Sequence, residues 1–228
     1  MTVILENIVP LGRSLIEYRQ MFGLSDSDLD KSIIGVGDGV ASFNSEMKEM
    51  GNKVLSVDPL YEFEGDEIHK RFFEVIDGVV EQLRSTSEEY NWNFFKDPDE
   101  YKEHRIITTN KFVSDFESGK REGRYKFGEL PNLEFDDNSF DIALCSFFLF
   151  FYSDQLSYKF HLASVRELIR VAKEVRIHPL IDLAVKRSLH LDPVISEMEK
   201  DGYEVEIKDV EYDMQPNGNI MLNIIKNK

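Results

Sequence analysis

From Lys31 to Asn44 the chain reads KSIIGVGDGVASFN, with Gly35, Gly37 and Gly39 at alternate positions directly behind two isoleucines. Nineteen residues past Gly39, Asp58 closes the apolar run of VLSVDPLY. Glycine in a turn takes backbone angles barred to other residues and lets a ligand lie against the main chain. A carboxylate at the end of the next strand can accept hydrogen bonds from both hydroxyls of a ribose. Each such bond to a charged group contributes roughly 1.5–3 kcal/mol. The pairing points to a nucleoside-containing ligand. In the plainer alternative, the glycines only shape a tight turn and Asp58 caps a helix.

The elements that must position these residues follow from hydrophobic period. GRSLIEYRQMFGL has Leu15, Tyr18, Met21 and Phe22 at helical spacing. SDSDLD offers capping residues for a short turn of helix. KSIIGV predicts a strand, VASFNSEMKEMG a helix closed by Gly51, and KVLSV a second strand, together one βαβ unit. The two strands of such a unit are expected to be parallel neighbours. Residues 61–126 are charged, helical in texture and too long for a plain connection, which predicts a helical insertion lying over one edge of the sheet. YKFGEL, DIALCS and VRIHPLI predict further strands, DIALCS buried on both faces. QLSYKFHLASVRELIRVAKE predicts a helix. EVEIKDVEY and IMLNII flank Asn217-Gly218, a strong hairpin signal. The expected fold is therefore α/β: a doubly wound, Rossmann-like, mostly parallel sheet with a C-terminal antiparallel hairpin. It makes one domain over residues 1–228, interrupted by the insertion at about 61–126.

Bulk properties narrow the function. The 228 residues are 42% hydrophobic, enough for a sizeable core. The formal charge of −16 repels phosphate backbones, so no nucleic-acid partner is expected. The N-terminus lacks a basic, apolar leader and no run is long enough to span a bilayer, so the expected location is the cytoplasm, away from membranes. A single cysteine, Cys145, excludes an internal disulfide and a cysteine-based zinc site. The scattered histidines show no metal-ligand spacing, and no metal is expected. A dinucleotide fingerprint needs a third glycine, but that position is Val40 counted from Gly35 and Ser42 counted from Gly37.

IIGVGDGVA, VLSVDPLY, LEFDDNSFDIALCS and RELIRVAKEVRI resemble the successive motifs of class I S-adenosylmethionine-dependent methyltransferases. The resemblance covers about residues 31–60 and 127–178, and the tail hairpin matches in outline. GDGVASFN, SVDPLY and YDMQPNGNIMLNI are similar to a little-characterised bacterial subgroup of that family. The resemblance implies S-adenosylmethionine as cofactor. Gly37 and Gly39 would pass beneath it, Asp58 would bind its ribose, and Pro59 and Leu60 would flank the adenine. Glu129 and Leu130 would close the adenine's other side, and Cys145 and Ser146 would face the sulfonium. The chain departs from the family at Gly35, where the first motif usually has an acid. Asp38 in the same loop is the candidate replacement. The helix before the fifth strand also lacks the family's usual glycines.

Methyl transfer from a sulfonium asks mainly for alignment and desolvation, worth about 7–11 kcal/mol. No catalytic base is assigned; Tyr152, Asp154 and His161 follow the fourth strand and are candidates where the acceptor is a hydroxyl. The acceptor is expected to be a small molecule, walled by the first helix and the insertion. Tyr18, Trp92, Phe147 and Tyr152 are the candidate substrate residues, with Phe94 and Phe95 as further wall. Two alternatives stay open: a methyltransferase-like protein that binds a nucleoside ligand without catalysis, and a nicotinamide-dependent oxidoreductase. The residues set no oligomeric state.

Overall fold

The computed structural model describes residues 10–226; most of the N-terminal stretch read for a leader lies outside them. The strands are β1 (Ile33–Val36), β2 (Val54–Val57), β3 (Tyr125–Lys126), β4 (Phe140–Ser146), β5 (Ala172–His178), β6 (Glu204–Asp209) and β7 (Ile220–Ile225). The helices are α1 (Leu15–Phe22), α2 (Asp26–Leu29), α3 (Phe43–Glu49), α4 (Gly65–Ser85), α5 (Pro98–Arg121), α6 (Tyr158–Val171) and α7 (Leu191–Lys200). One sheet runs β3-β2-β1-β4-β5-β7-β6. β1 to β5 pair in parallel, and β7 enters antiparallel between β5 and β6.

Both faces of the sheet are covered, as uninterrupted apolar strands require. Side chains alternate between the faces. Ile33, Val54, Ile142 and Leu144 meet α1, α3 and α4 on one side. Ile34, Val36, Val57, Ala143 and Cys145 meet α6 and α7 on the other. α4 and α5 stand between β2 and β3 in the chain. Phe72, Ile76, Val80 and Leu83 of α4 join the same core as α1. Phe112 and Phe116 of α5 pack with Tyr61 and Tyr125.

Two boundaries differ from expectation. The helix predicted to continue through Glu174 stops at Val171, because Ala172 already pairs with Phe140 at the start of β5. At the C-terminus Asn217 takes the positive φ that the hairpin signal implies, at +59°. The connection nevertheless spans 210–219, because Tyr212 and Met214 turn inward and are buried in the core. The chain must loop out to place them.

Candidate functional site

A cavity of about 690 Å³ opens at the C-terminal ends of β1, β2 and β4, where ligands bind in open parallel sheets. Gly37, Asp38 and Gly39 form its floor, and Asp58, Pro59 and Leu60 one side. Glu129 and Leu130 face them from the loop after β3, and Ser146, Phe147 and Tyr152 stand beyond β4. Gly37 and Gly39 have φ of +74° and +54°, so the turn itself requires glycine. A Cβ on Gly39 would meet nothing within 4 Å, whereas one on Gly37 would press on Phe148.

Asp58 ends β2 and holds the turn. One carboxylate oxygen accepts from Gly39 N–H at 2.8 Å and the other from Leu60 N–H at 2.8 Å. The second bond caps the 3-10 turn Pro59–Glu62, so the capping role of Asp58 is real and coexists with its place on the cavity wall. Burial raises this carboxyl above its ordinary range, and the two backbone donors offset part of the rise.

Gly35 does not line the cavity. A Cβ there would lie less than 3.0 Å from the carboxylate of Asp38. Three residues on, Asp38 has folded its side chain back into the volume that a side chain at position 35 would fill. It accepts from Tyr18 O–H and Ser56 O–H, each at 2.6 Å. Burial pushes its carboxyl up to about 6, with the nearby Asp58 charge adding to the rise and the two hydroxyls opposing it.

Beneath this end of the cavity lies a buried ionic network. Glu17 of α1 is fully buried and pairs with Arg105 of α5, also fully buried. Glu17 further accepts from Ser14 N–H at 2.9 Å and Tyr212 O–H at 3.2 Å, and bonds His104 Nε2 at 3.0 Å. Arg105 Nη1 also donates to the Gly12 carbonyl at 2.6 Å. Burial alone would raise the Glu17 carboxyl, but Arg105 and His104 overcome it and hold the carboxyl well below the usual range.

No family model matches the chain. Over 221 residues it is 33% identical to "Uncharacterized protein MJ0045" of Methanocaldococcus jannaschii, covering 96% of this chain and 97% of that one. The chain belongs to the MJ0045 family. That relative is archaeal, and nothing in the comparison supports the bacterial placement expected from the sequence. Among solved structures, a SAM-dependent methyltransferase from Aquifex aeolicus superposes with TM-score 0.44 and 14% identity, over 91% of this chain and 90% of that one. Magnesium protoporphyrin IX methyltransferase from Synechocystis, with SAM bound, does so with TM-score 0.44 and 9% identity, over 89% and 73%. The fold assignment rests on the strand order and not on these superpositions.

In this member of the MJ0045 family the cavity gathers Gly37, Asp38, Gly39, Asp58, Pro59, Leu60, Glu129, Leu130, Ser146, Phe147 and Tyr152. Four expected site residues fall elsewhere. Gly35 lies under Asp38. Cys145 is fully buried against the α6–α7 side, because successive strand residues point to opposite faces, and burial pushes its thiol up to about 12. Tyr18 is fully buried, stacked on Phe43 at 4.1 Å, and meets the site from behind, at Asp38 and Ser146. Trp92 donates its indole N–H to the Ser87 carbonyl at 2.8 Å. With Phe94 and Phe95 it packs in the core against the α1 side, away from the cavity.

Of the candidate bases, His161 turns away: its ring nitrogens lie 2.9 Å from the Ser157 and Leu149 carbonyls, and burial lowers its basicity. Asp154 is exposed outside the cavity lining. Tyr152 remains on the wall. Sequence reasoning missed Arg13, Glu62, Phe63 and Phe127 as lining residues and gave Phe148 and Phe151 no place at the cavity. The available signal for Phe148 and Phe151 was their position just past the end of β4, on the ligand side of the sheet. Among the described residues no helix is long and apolar enough to cross a membrane.

Proposed function

We propose that this protein binds S-adenosylmethionine and transfers its methyl group to a small-molecule acceptor. One observation supports the reading above the others: a carboxylate at the end of β2 faces the cavity with a single backbone N–H on each oxygen. A carboxylate has about four acceptor sites, so Asp58 keeps capacity for two vicinal hydroxyls. The open space at Gly39 admits a ligand against the main chain, and the residues present fit such a group.

When bound, the cofactor supplies a methyl group on a sulfonium whose leaving group is already activated. The chain does the rest by placement. Asp58 holds the ribose, with Leu60 and Leu130 bounding the adenine on two sides. Asp38, raised to about 6 and therefore mostly ionised at neutral pH, sets a negative charge by the glycine turn, which suits a cationic ligand. Its carboxylate takes the place in space that the missing acid at position 35 leaves open. The phenylalanines beyond β4 exclude water and align the acceptor. Val40, at the third position of a dinucleotide fingerprint, is buried against Tyr61 and Phe112, which disfavours the nicotinamide alternative.

The experiment is calorimetry with S-adenosylhomocysteine and, separately, NAD. Binding of the first alone is expected. Asp58→Ala, checked for folding by circular dichroism, should weaken that binding by at least about tenfold, the loss of charged hydrogen bonds. Unchanged affinity in the folded variant would remove the ribose assignment, and tighter binding of NAD would replace the reading.

A further inference from the structure

The lining of the cavity mixes charges. Among the described residues lining it, Arg13 is the one cation, against Asp38, Asp58, Glu62 and Glu129. Arg13 is 8% exposed, and its guanidinium carbon lies 4.0 Å from the centroid of the Phe147 ring. Nη1 donates to the Leu11 carbonyl. Nε has no hydrogen-bond partner among the described residues. The Glu17 carboxylate stands 3.9 Å from Nε, outside hydrogen-bond reach, and is already committed to Arg105, His104, Ser14 and Tyr212.

A buried guanidinium with an unmet donor is costly unless something completes it. This chain has 43 acidic residues, yet none is set to bind Arg13 within hydrogen-bond distance among the described residues. The part of the Arg13 side chain that lines the cavity can meet an anionic group of a ligand. A planar guanidinium matches a carboxylate in geometry and charge. The location is also informative. Arg13 covers Phe147, the first residue past β4, where Phe148, Phe151 and Phe160 continue the wall. Asp38, Asp58 and Glu62 follow β1 and β2, and the Arg13 main chain is tied to the same turn, its carbonyl accepting from Ser42 N–H at 3.1 Å.

We propose that the methyl acceptor is a small aromatic carboxylate, its acid group bound by Arg13 and its ring held by the phenylalanine wall beyond β4. This rests on the methyl-transfer reading and names the acceptor class for the same site.

The test uses protein saturated with S-adenosylhomocysteine, titrated calorimetrically with benzoate and its hydroxy derivatives, each against the matching benzamide. The acids should bind at least about tenfold tighter than the amides, the effect of one charge-assisted contact. Arg13→Gln should abolish that preference, and Arg13→Lys should keep part of it. Equal affinity for acid and amide, or binding of neither, overturns the inference while leaving the cofactor reading intact. A second arm compares S-adenosylhomocysteine with 5′-methylthioadenosine, which lacks the amino-acid carboxylate. Arg13→Gln should leave both affinities within about twofold. A tenfold loss confined to S-adenosylhomocysteine assigns Arg13 to the cofactor's own carboxylate and overturns the acceptor inference. Failure of the wild type to bind S-adenosylhomocysteine removes the methyl-transfer reading itself, and this inference with it.

Discussion

Gly35→Ala tests the most specific geometric claim at the site. Gly35 lies within β1, paired with Ser56 and Leu144, so its backbone accepts alanine. In a strand, such a change should by itself be favourable by roughly 0.5–1 kcal/mol. The obstacle is the Asp38 carboxylate, which a Cβ would approach to less than 3.0 Å. Asp38 can yield only by giving up its 2.6 Å bonds from Tyr18 and Ser56. Two bonds to a charged acceptor set an upper bound of about 3–6 kcal/mol. With partial relaxation, a net loss of about 2–4 kcal/mol is expected. That is a large part of the ~5–15 kcal/mol by which a domain is stable. Urea unfolding followed by circular dichroism measures it. The decisive form is a double-mutant cycle: in an Asp38→Ala background, Gly35→Ala should become nearly neutral, giving a coupling of about 2 kcal/mol or more. Additive losses, or a cost under about 0.5 kcal/mol in the single variant, would refute the claim that Asp38 occupies the place of a side chain at 35.

Further expectations concern charge. The Asp38 carboxyl is raised to about 6 from an ordinary 3.8, so between those values the folded protein binds more protons than the unfolded chain. Its contribution is greatest in acid and is lost as pH rises to about 6. Urea unfolding from pH 4 to 7 should show the wild type losing about 2 kcal/mol relative to Asp38→Asn; parallel profiles would contradict the burial of an ionised Asp38. Glu17→Gln strands Arg105 in the core and should cost about 3–5 kcal/mol in the same assay. A cost below about 1 kcal/mol would mean that the network is hydrated and not buried.

The sheet was legible because its signals are local. Isoleucine and valine runs mark β1 and β2, glycine marks the turn between β1 and α3, and a period near 3.6 marks α1 and α6. Asp58 was legible for the same reason, since its distance from the glycines is set by one helix and one strand. What escaped depends on phase or on distant packing. Cys145 and Ser146 are adjacent and apolar or small, and only the exact pleat at the end of β4 decides which one faces the cavity. Phe94 and Phe147 are the same residue in similar company. Only the topology puts one beneath α1 and the other past a parallel strand. Arg13 ahead of α1 looks like any solvated charge until α5 supplies Arg105, which takes up Glu17 and the Gly12 carbonyl beside it.

The pairing of Glu17 with Arg105 also limits how α5 can move over the sheet. Two helices joined by hydrocarbon alone could slip past each other by one turn, about 5.4 Å, and find comparable grease on the other side. Here such a slip would leave a carboxylate and a guanidinium facing oil. The joint is keyed: a single seating fits the lock. The short segment running from Pro10 to Ser14, pinned at its Gly12 carbonyl, inherits that fixed position as the rim of the cavity.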